Sequence, residues 1–251
     1  MRTKIWAHRG ASTLAPENTL SAFALAISQK ADGIELDVQR TADGVLVVAH
    51  DEDCMRVTGQ SGMIVQMTLA ELQKLSFTQG HANAGFETLP TLAAVFDLIR
   101  PSGLTINIEL KNTLVPYPGL EEQVLKQAVE HQMQDRIQLS SFNHYSLLDC
   151  MNLIRQQKLS IPCGPLYECG LVEPWQYASR LGFSAIHPHY GNLRIPEIMK
   201  HCHASGIAVN AWTIDNPEHM GLALMLGVDA IITNVPEQAI QIRKQIQHVE
   251  D

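Results

Sequence analysis

Four short stretches carry most of the residues able to do chemistry: His8-Arg9-Gly10, Glu35-Leu36-Asp37, His50-Asp51 and Glu109-Leu110-Lys111. Residues two apart in a strand point to the same face, so Glu35 accompanies Asp37 and Glu109 accompanies Lys111. If the stretches converge, three carboxylates share one place. Each close pair then costs about 4 kcal/mol at about 4 Å with an effective dielectric near 20. Either one carboxyl is protonated or a divalent cation lies among them. All-oxygen ligation favours a hard ion, Mg²⁺ or Ca²⁺, over Zn²⁺. Arg9 and Lys111 add two cations beside that point, and His8 and His50 add two imidazoles. Together these groups suit a phosphate ester. The positive charges hold phosphoryl oxygens, a neutral imidazole takes a proton from the nucleophile, and an imidazolium gives one to the leaving oxygen. A diester fits better than a monoester, because its alkoxide leaving group needs that acid.

The surrounding pattern supplies the elements that position these residues. Ile5-Trp6-Ala7 is a short apolar strand that stops at His8, and Gly10 lets the backbone bend where a side chain would collide. A helix opens near Glu17, with Leu20, Phe23, Ala24 and Ile27 predicted on its apolar stripe. Residues 33–38 form the second strand. Asp43-Gly44 signals a tight turn and residues 45–49 return as another strand; a two-residue turn there pairs Asp37 opposite His50. Residues 52–90 make a connection too long to be bare loop. They contain a capping box, Thr68-Leu69-Ala70-Glu71, and are expected to form a small subdomain overhanging the mouth. Pro90-Thr91 opens a helix through Leu92, Val95, Phe96 and Ile99.

Beyond residue 104 strands at 104–109, 137–140, 161–165, 185–187, 207–211 and 230–232 alternate with helices of 10 to 15 residues. Setting aside the return strand leaves eight. That predicts an α/β (β/α)₈ TIM barrel, one domain over residues 1–251, with the insertion at about 52–90 after the second strand. The carboxyl ends of barrel strands converge on one site. Those tips carry His8, Arg9, Glu35, Asp37, His50, Glu109, Lys111, His187, His189 and Trp212.

Hydrophobic residues make up 45% of the chain and charged ones 18%, which suits a globular protein. The net charge of −8 argues against a nucleic-acid-binding stripe. Five cysteines, with no C-x-x-C pair, suggest reduced thiols. No stretch approaches the roughly 18 apolar residues of a membrane span, and Ile5-Trp6-Ala7 is too short for a signal peptide's apolar region. A cytoplasmic location is therefore expected. Extra apolar residues on two outer helices leave a homodimer open.

The combination His8-Arg9-Gly10, Pro16-Glu17-Asn18-Thr19, Glu35-x-Asp37, His50-Asp51, Glu109-x-Lys111 and Trp212-Thr213 resembles the glycerophosphodiester phosphodiesterase family, in order from residue 4 to about 238. The resemblance implies hydrolysis of small glycerophosphodiesters to sn-glycerol 3-phosphate and an alcohol, with a bound divalent metal ion. It makes His8 and His50 the acid/base pair, and Glu35, Asp37 and Glu109 the metal ligands. Arg9 and Lys111 would hold phosphate, and Trp212 would face the glycerol. It further implies that the glycerol hydroxyl beside the phosphate can attack first, giving a cyclic phosphate that water opens.

Other residues read more simply. Glu17 and Asn18 belong to the helix start and support the site from behind. His187, at a strand tip, could line the pocket and bind substrate. His201 and His203 sit on an outer helix as surface residues. Met55, Met63 and Met67 suit the insertion's core better than a lipid-facing patch. Ser140-Ser141 lacks the G-x-S-x-G of a nucleophile. Asn234-Val235-Pro236 is a helix entry expected near the barrel floor. Alternatives to hydrolysis are a barrel phospholipase or lyase that stops at the cyclic phosphate, and a non-catalytic phosphate-binding barrel. An amidohydrolase would want H-x-H on the first strand, where this chain has His8-Arg9-Gly10.

Overall fold

The computed structural model describes residues 2–248, in which short strands alternate with helices. In chain order the elements are β1 (Lys4–His8), α1 (Leu20–Ser28), β2 (Gly33–Arg40), β3 (Leu46–Val48), α2 (Met55–Thr58), α3 (Leu69–Leu72) and α4 (Leu92–Ile99). Then β4 (Thr105–Leu110), α5 (Leu120–Glu130), β5 (Ile137–Ser141), α6 (His144–Gln156), β6 (Cys163–Tyr167) and α7 (Pro174–Leu181) alternate. The chain finishes with β7 (Ala185–Pro188), α8 (Ile198–Ala204), β8 (Ala208–Ala211), α9 (Pro217–Leu226), β9 (Ala230–Thr233) and α10 (Pro236–Gln247). The sheet runs β1-β9-β8-β7-β6-β5-β4-β2 and closes by parallel pairing of β1 with β2, while β3 lies antiparallel along β2. This is a TIM barrel of eight parallel strands.

Apolar alternation explains how the layers stack. Ile5, Ala7, Ile34, Leu36, Ile106, Ile108, Ile186, Val209 and Ile231 are buried in one continuous core with the helices. The opposite faces of the strands fill the barrel. There Trp6, Ala230 and Ile232 form a small apolar plug against Trp212, beside a layer of amides, a serine hydroxyl and a histidine. Asn107 Nδ2 donates to Ser140 Oγ (3.0 Å), and Gln138 Nε2 donates to Asn107 Oδ1 (3.0 Å) and lies 3.0 Å from His187 Nε2. Gly164 makes room for that ring, since a Cβ there would lie 2.6 Å from His187 Cδ2.

Two local expectations are corrected. The hairpin β2–β3 pairs Val38 with Val48, and the Ala49 N–H donates to Asp37 O, so Ala49 rather than His50 faces Asp37. The cause is a three-residue turn: Thr41 N–H donates to Val45 O, and Thr41 Oγ1 accepts from Val45 N–H (2.9 Å). One extra turn residue shifts the register by one. In α1 the buried residues are Ala22, Phe23 and Ala26, whereas Leu20 and Ala24 are exposed. Gly10, at φ +84°, sits directly on Ala22, where a Cβ would come within 2.6 Å of Ala22 Cβ. That contact turns the helix so that Ala22 faces inward.

The insertion carries its own apolar cluster of Cys54, Ile64, Leu72, Phe77 and Leu89 against Val47 and Ala49 of the hairpin. Thr68 and Glu71 form the expected capping box at α3. Met67 packs on this cluster, but Met55 is half exposed. On α8, His201 stacks on Trp175 at 4.4 Å and His203 pairs with Asp229 at 2.9 Å, as suits an outer helix. The five cysteines are unpaired thiols.

The ends of the chain meet at Arg243 of α10, which is fully buried, donates to Thr3 O (3.0 Å) and pairs with Asp32. Replacing Arg243 by Met should destabilise the fold by about 3 kcal/mol, the low end for a broken buried pair because Asp32 keeps Arg2 at 3.0 Å. The midpoint of urea unfolding measures this; an unchanged midpoint would show that the pair contributes nothing.

Candidate active site

Strand register gathers the site. Along β1–β2, His8 is level with Glu35; along β2–β4, Glu35 is level with Asn107 and Asp37 with Glu109. Adjacent strands lie about 4.8 Å apart, so side chains on the inward faces of three strands meet. One carboxylate oxygen from each of Glu35, Asp37 and Glu109 lies within 4.8 Å of the others, and all three residues are buried.

Arg9 is the counter-charge built into this cluster. It adopts φ +56°, entering the bend completed by Gly10. Its N–H donates to Glu35 Oε2 (3.0 Å), its Nε lies 3.4 Å from Asp37 Oδ2, and its Nη1 donates to Glu17 Oε1 (3.0 Å). Asn18 Nδ2 donates to Asp37 Oδ2 at 2.9 Å. Glu17 and Asn18 thus support the site from behind, as expected. Lys111 Nζ donates to Glu109 Oε1 at 3.0 Å, behind the residues that line the cleft.

These surroundings divide the acids. Burial pushes all three carboxyls up. For Asp37 the charges of Arg9, His50 and Lys111 outweigh burial and hold it well below the usual carboxylate range. Burial and the charge of Asp37 push Glu109 up to about 7, and burial with Asp37 and Glu109 drives Glu35 well up. Asp37 Oδ1 is buried without a hydrogen-bond partner. Three oxygen donors, one of them unpartnered, whose mutual repulsion raises Glu35 and Glu109 and would be relieved by a dication, fit a hard divalent ion. The cluster is suited to binding metal.

The two imidazoles are oriented by different means. His8 Nδ1 lies 2.7 Å from Asn234 Oδ1, and Asn234 Nδ2 donates to Asp215 Oδ2 at 2.6 Å. Asp215 Oδ1 also accepts from Asn234 N–H (2.8 Å) and Thr233 Oγ1 (2.9 Å). The carboxylate fixes which end of the amide faces His8, so Nδ1 carries the hydrogen and Nε2 presents its lone pair, 3.9 Å from Glu35 Oε2. Burial and the Arg9 charge push His8 down to about 4, so it is neutral at pH 7. His50 Nδ1 lies 2.6 Å from Asp51 Oδ1, which leaves its Nε2 for the cleft.

The cleft has a volume of about 110 Å³ and is lined by His8, Arg9, Glu35, His50 and Glu109 on its polar side. Phe142, Leu166, Trp212 and Ile232 make an apolar wall opposite. Trp212 is fixed by donation from Nε1 to His187 O (2.8 Å) and by the edge of Phe142 at 5.6 Å.

His187 does not line this cleft. Its ring is buried inside the barrel, where Nε2 accepts from Gln138 and Asn210 and burial pushes it down to about 3. The strand-tip rule fails there because β7 runs one residue further, to Pro188. Asn234 is the opposite correction: it follows the last residue of β9 and lies at the mouth, not the floor. Reading Thr233-Asn234 as a strand tip would have found it. Arg56 had no comparable signal.

A parallel barrel whose strand tips pool three acids, two cations and two imidazoles around one cleft belongs to the class of TIM-barrel enzymes built for phosphate esters. Residues 8–238 match the model of the glycerophosphoryl diester phosphodiesterase family. The chain is 45% identical, over 96% of its length and 98% of the relative's, to a glycerophosphodiester phosphodiesterase of Caldanaerobacter subterraneus subsp. tengcongensis. It is 36% identical to one from Bacillus altitudinis, covering 98% of this chain and 100% of that one. Among solved structures it resembles an Oleispira antarctica phosphodiesterase in complex with the product sn-glycerol-3-phosphate (TM-score 0.82, 29% identity, 95% of this chain and 96% of that one). The chain belongs to the glycerophosphoryl diester phosphodiesterase family and is an enzyme.

Because burial and the charge of Asp37 push Glu109 up to about 7, a cation must displace its proton, and affinity for Mg²⁺ or Ca²⁺ should rise from about pH 6 to 8, with proton release on binding. Calorimetry in buffers of different ionisation enthalpy measures both quantities. A pH-independent affinity would refute this division of charge.

Proposed function

We propose that the chain acts as one catalytic unit, residues 1–251 with the 52–90 insertion, that hydrolyses glycerophosphodiesters to sn-glycerol 3-phosphate and an alcohol. The observation that carries this reading is the meeting of Glu35, Asp37 and Glu109 within 4.8 Å, beside two oriented imidazoles at one cleft. The family match over residues 8–238 supports the same reading.

Glu35, Asp37 and Glu109 would hold Mg²⁺ or Ca²⁺, which when bound supplies positive charge to the phosphoryl oxygens. Arg9 and Lys111 add to that field, and Arg9 reaches both the acids and the cleft. His8, neutral with its Nε2 lone pair available, accepts the proton of the nucleophile, either water or the glycerol hydroxyl next to the phosphate. As the bond from phosphorus to the alcohol oxygen breaks, His50 Nε2–H gives that oxygen its proton. Trp212 and Phe142 offer an apolar wall to the carbon atoms of the glycerol. The reading is of a cytoplasmic enzyme acting on small molecules; among the described residues no helix is long and apolar enough to cross a membrane.

Release of glycerol 3-phosphate from glycerophosphocholine tests the activity, and phosphorus NMR separates a cyclic from an open product. His8→Ala and His50→Ala should each lower kcat by about 10²–10⁴-fold while metal still binds. Chelation by EDTA should abolish turnover, and added Mg²⁺ or Ca²⁺ should restore it. Full activity of the chelated enzyme would remove the metal from this reading.

A further inference from the structure

The residue that ties the insertion to the site is Arg56, in the four-residue helix α2. Its Nη1 and Nη2 donate to the two oxygens of Glu17 at 2.8 and 2.7 Å, and its Nε donates to Asp51 Oδ2 at 2.5 Å. Glu17 Oε1 also accepts from Arg9, and the other Asp51 oxygen faces His50 Nδ1. Hydrogen bonds therefore run without a break along His50, Asp51, Arg56, Glu17 and Arg9. The last of these lies 3.4 Å from Asp37. A single exposed ion pair would contribute little. This guanidinium instead uses three donors on two carboxylates, each of which holds a residue lining the cleft.

The geometry assigns Arg56 as the positioning residue for the leaving-group acid: by fixing Asp51 it aims His50 at the departing alcohol oxygen, while Arg9 keeps its own contacts with Glu35 and Asp37. This rests on the reading of His50 as the acid given above. Asp51 has two anchors, His50 on one oxygen and Arg56 on the other. Without Arg56 the carboxylate can rotate about its χ angles, and the imidazole it holds loses its aim. The insertion then contributes directly to catalysis rather than only covering the mouth.

Leaving-group dependence tests this. A diester that expels an alkoxide, such as glycerophosphoethanolamine, needs a proton on the departing oxygen, whereas a glycerophosphodiester of p-nitrophenol does not. Arg56→Gln should lower kcat on the first by about 10–100-fold and on the second by less than about threefold. Arg56→Lys keeps the charge but loses the fork and should fall between; added guanidinium should partly restore Arg56→Gln. His50→Gln serves as the reference. If His50→Gln loses both substrates equally, His50 is not the acid and the premise fails. If His50→Gln discriminates but Arg56→Gln and Arg56→Lys lose both substrates equally, Arg56 merely supports the insertion and the assignment is overturned.

Discussion

Glu35, Asp37 and Glu109 lie close enough together that the protein must answer their repulsion with positive charge and protons. Arg9 supplies the first charge through a backbone and a side-chain contact, which is why its left-handed conformation and the glycine after it matter. Lys111 supplies the second, against Glu109. Two unit charges do not balance three buried carboxylates, and the remaining mismatch is seen in the raised Glu35 and Glu109. A divalent ion would remove it. The proposed metal site and the acid cluster are thus one feature described from two sides.

Around that cluster each imidazole has its own carboxylate. His50 meets Asp51 directly, while His8 reaches Asp215 through the amide of Asn234. The difference has a chemical consequence. A neutral amide oxygen fixes the tautomer of His8 without placing an anion against the ring, so burial and Arg9 keep that ring uncharged. His50 instead has a carboxylate directly against its Nδ1. The two histidines look alike in sequence, and the fold gives them different neighbours.

The barrel beneath the mouth is less apolar than such interiors commonly are. Asn107, Gln138, Ser140, Asn210 and His187 fill it with linked polar groups, and its apolar part is Trp6 with Ala230 and Ile232. Most apolar burial lies between the strands and the outer helices. That division lets the mouth rest on a polar layer. Asn107 belongs to both, joining Ser140 and Gln138 below and lining the cleft above.

Alternating apolar strands, capped helices and a hairpin were legible from residue order alone, because periodicity and capping are local properties. So were His8, Arg9, Glu35, Asp37, Glu109, Lys111 and Trp212 as strand-tip groups, since a parallel barrel gives all its strand ends one destination, and His50 as the residue that the returning hairpin strand leads to. What only the tertiary structure decided were the relations between strands. One extra turn residue moved Ala49 opposite Asp37, one extra residue of β7 sank His187 out of the cleft, and the closure of β9 on β1 brought Asn234 to His8 across 226 positions. Arg56 meets Glu17 across 39 positions for the same reason. Chain order records what each segment prefers, but distances between segments are set by register and closure, and the shifted ionisation of His8, Glu35, Asp37 and Glu109 follows those distances.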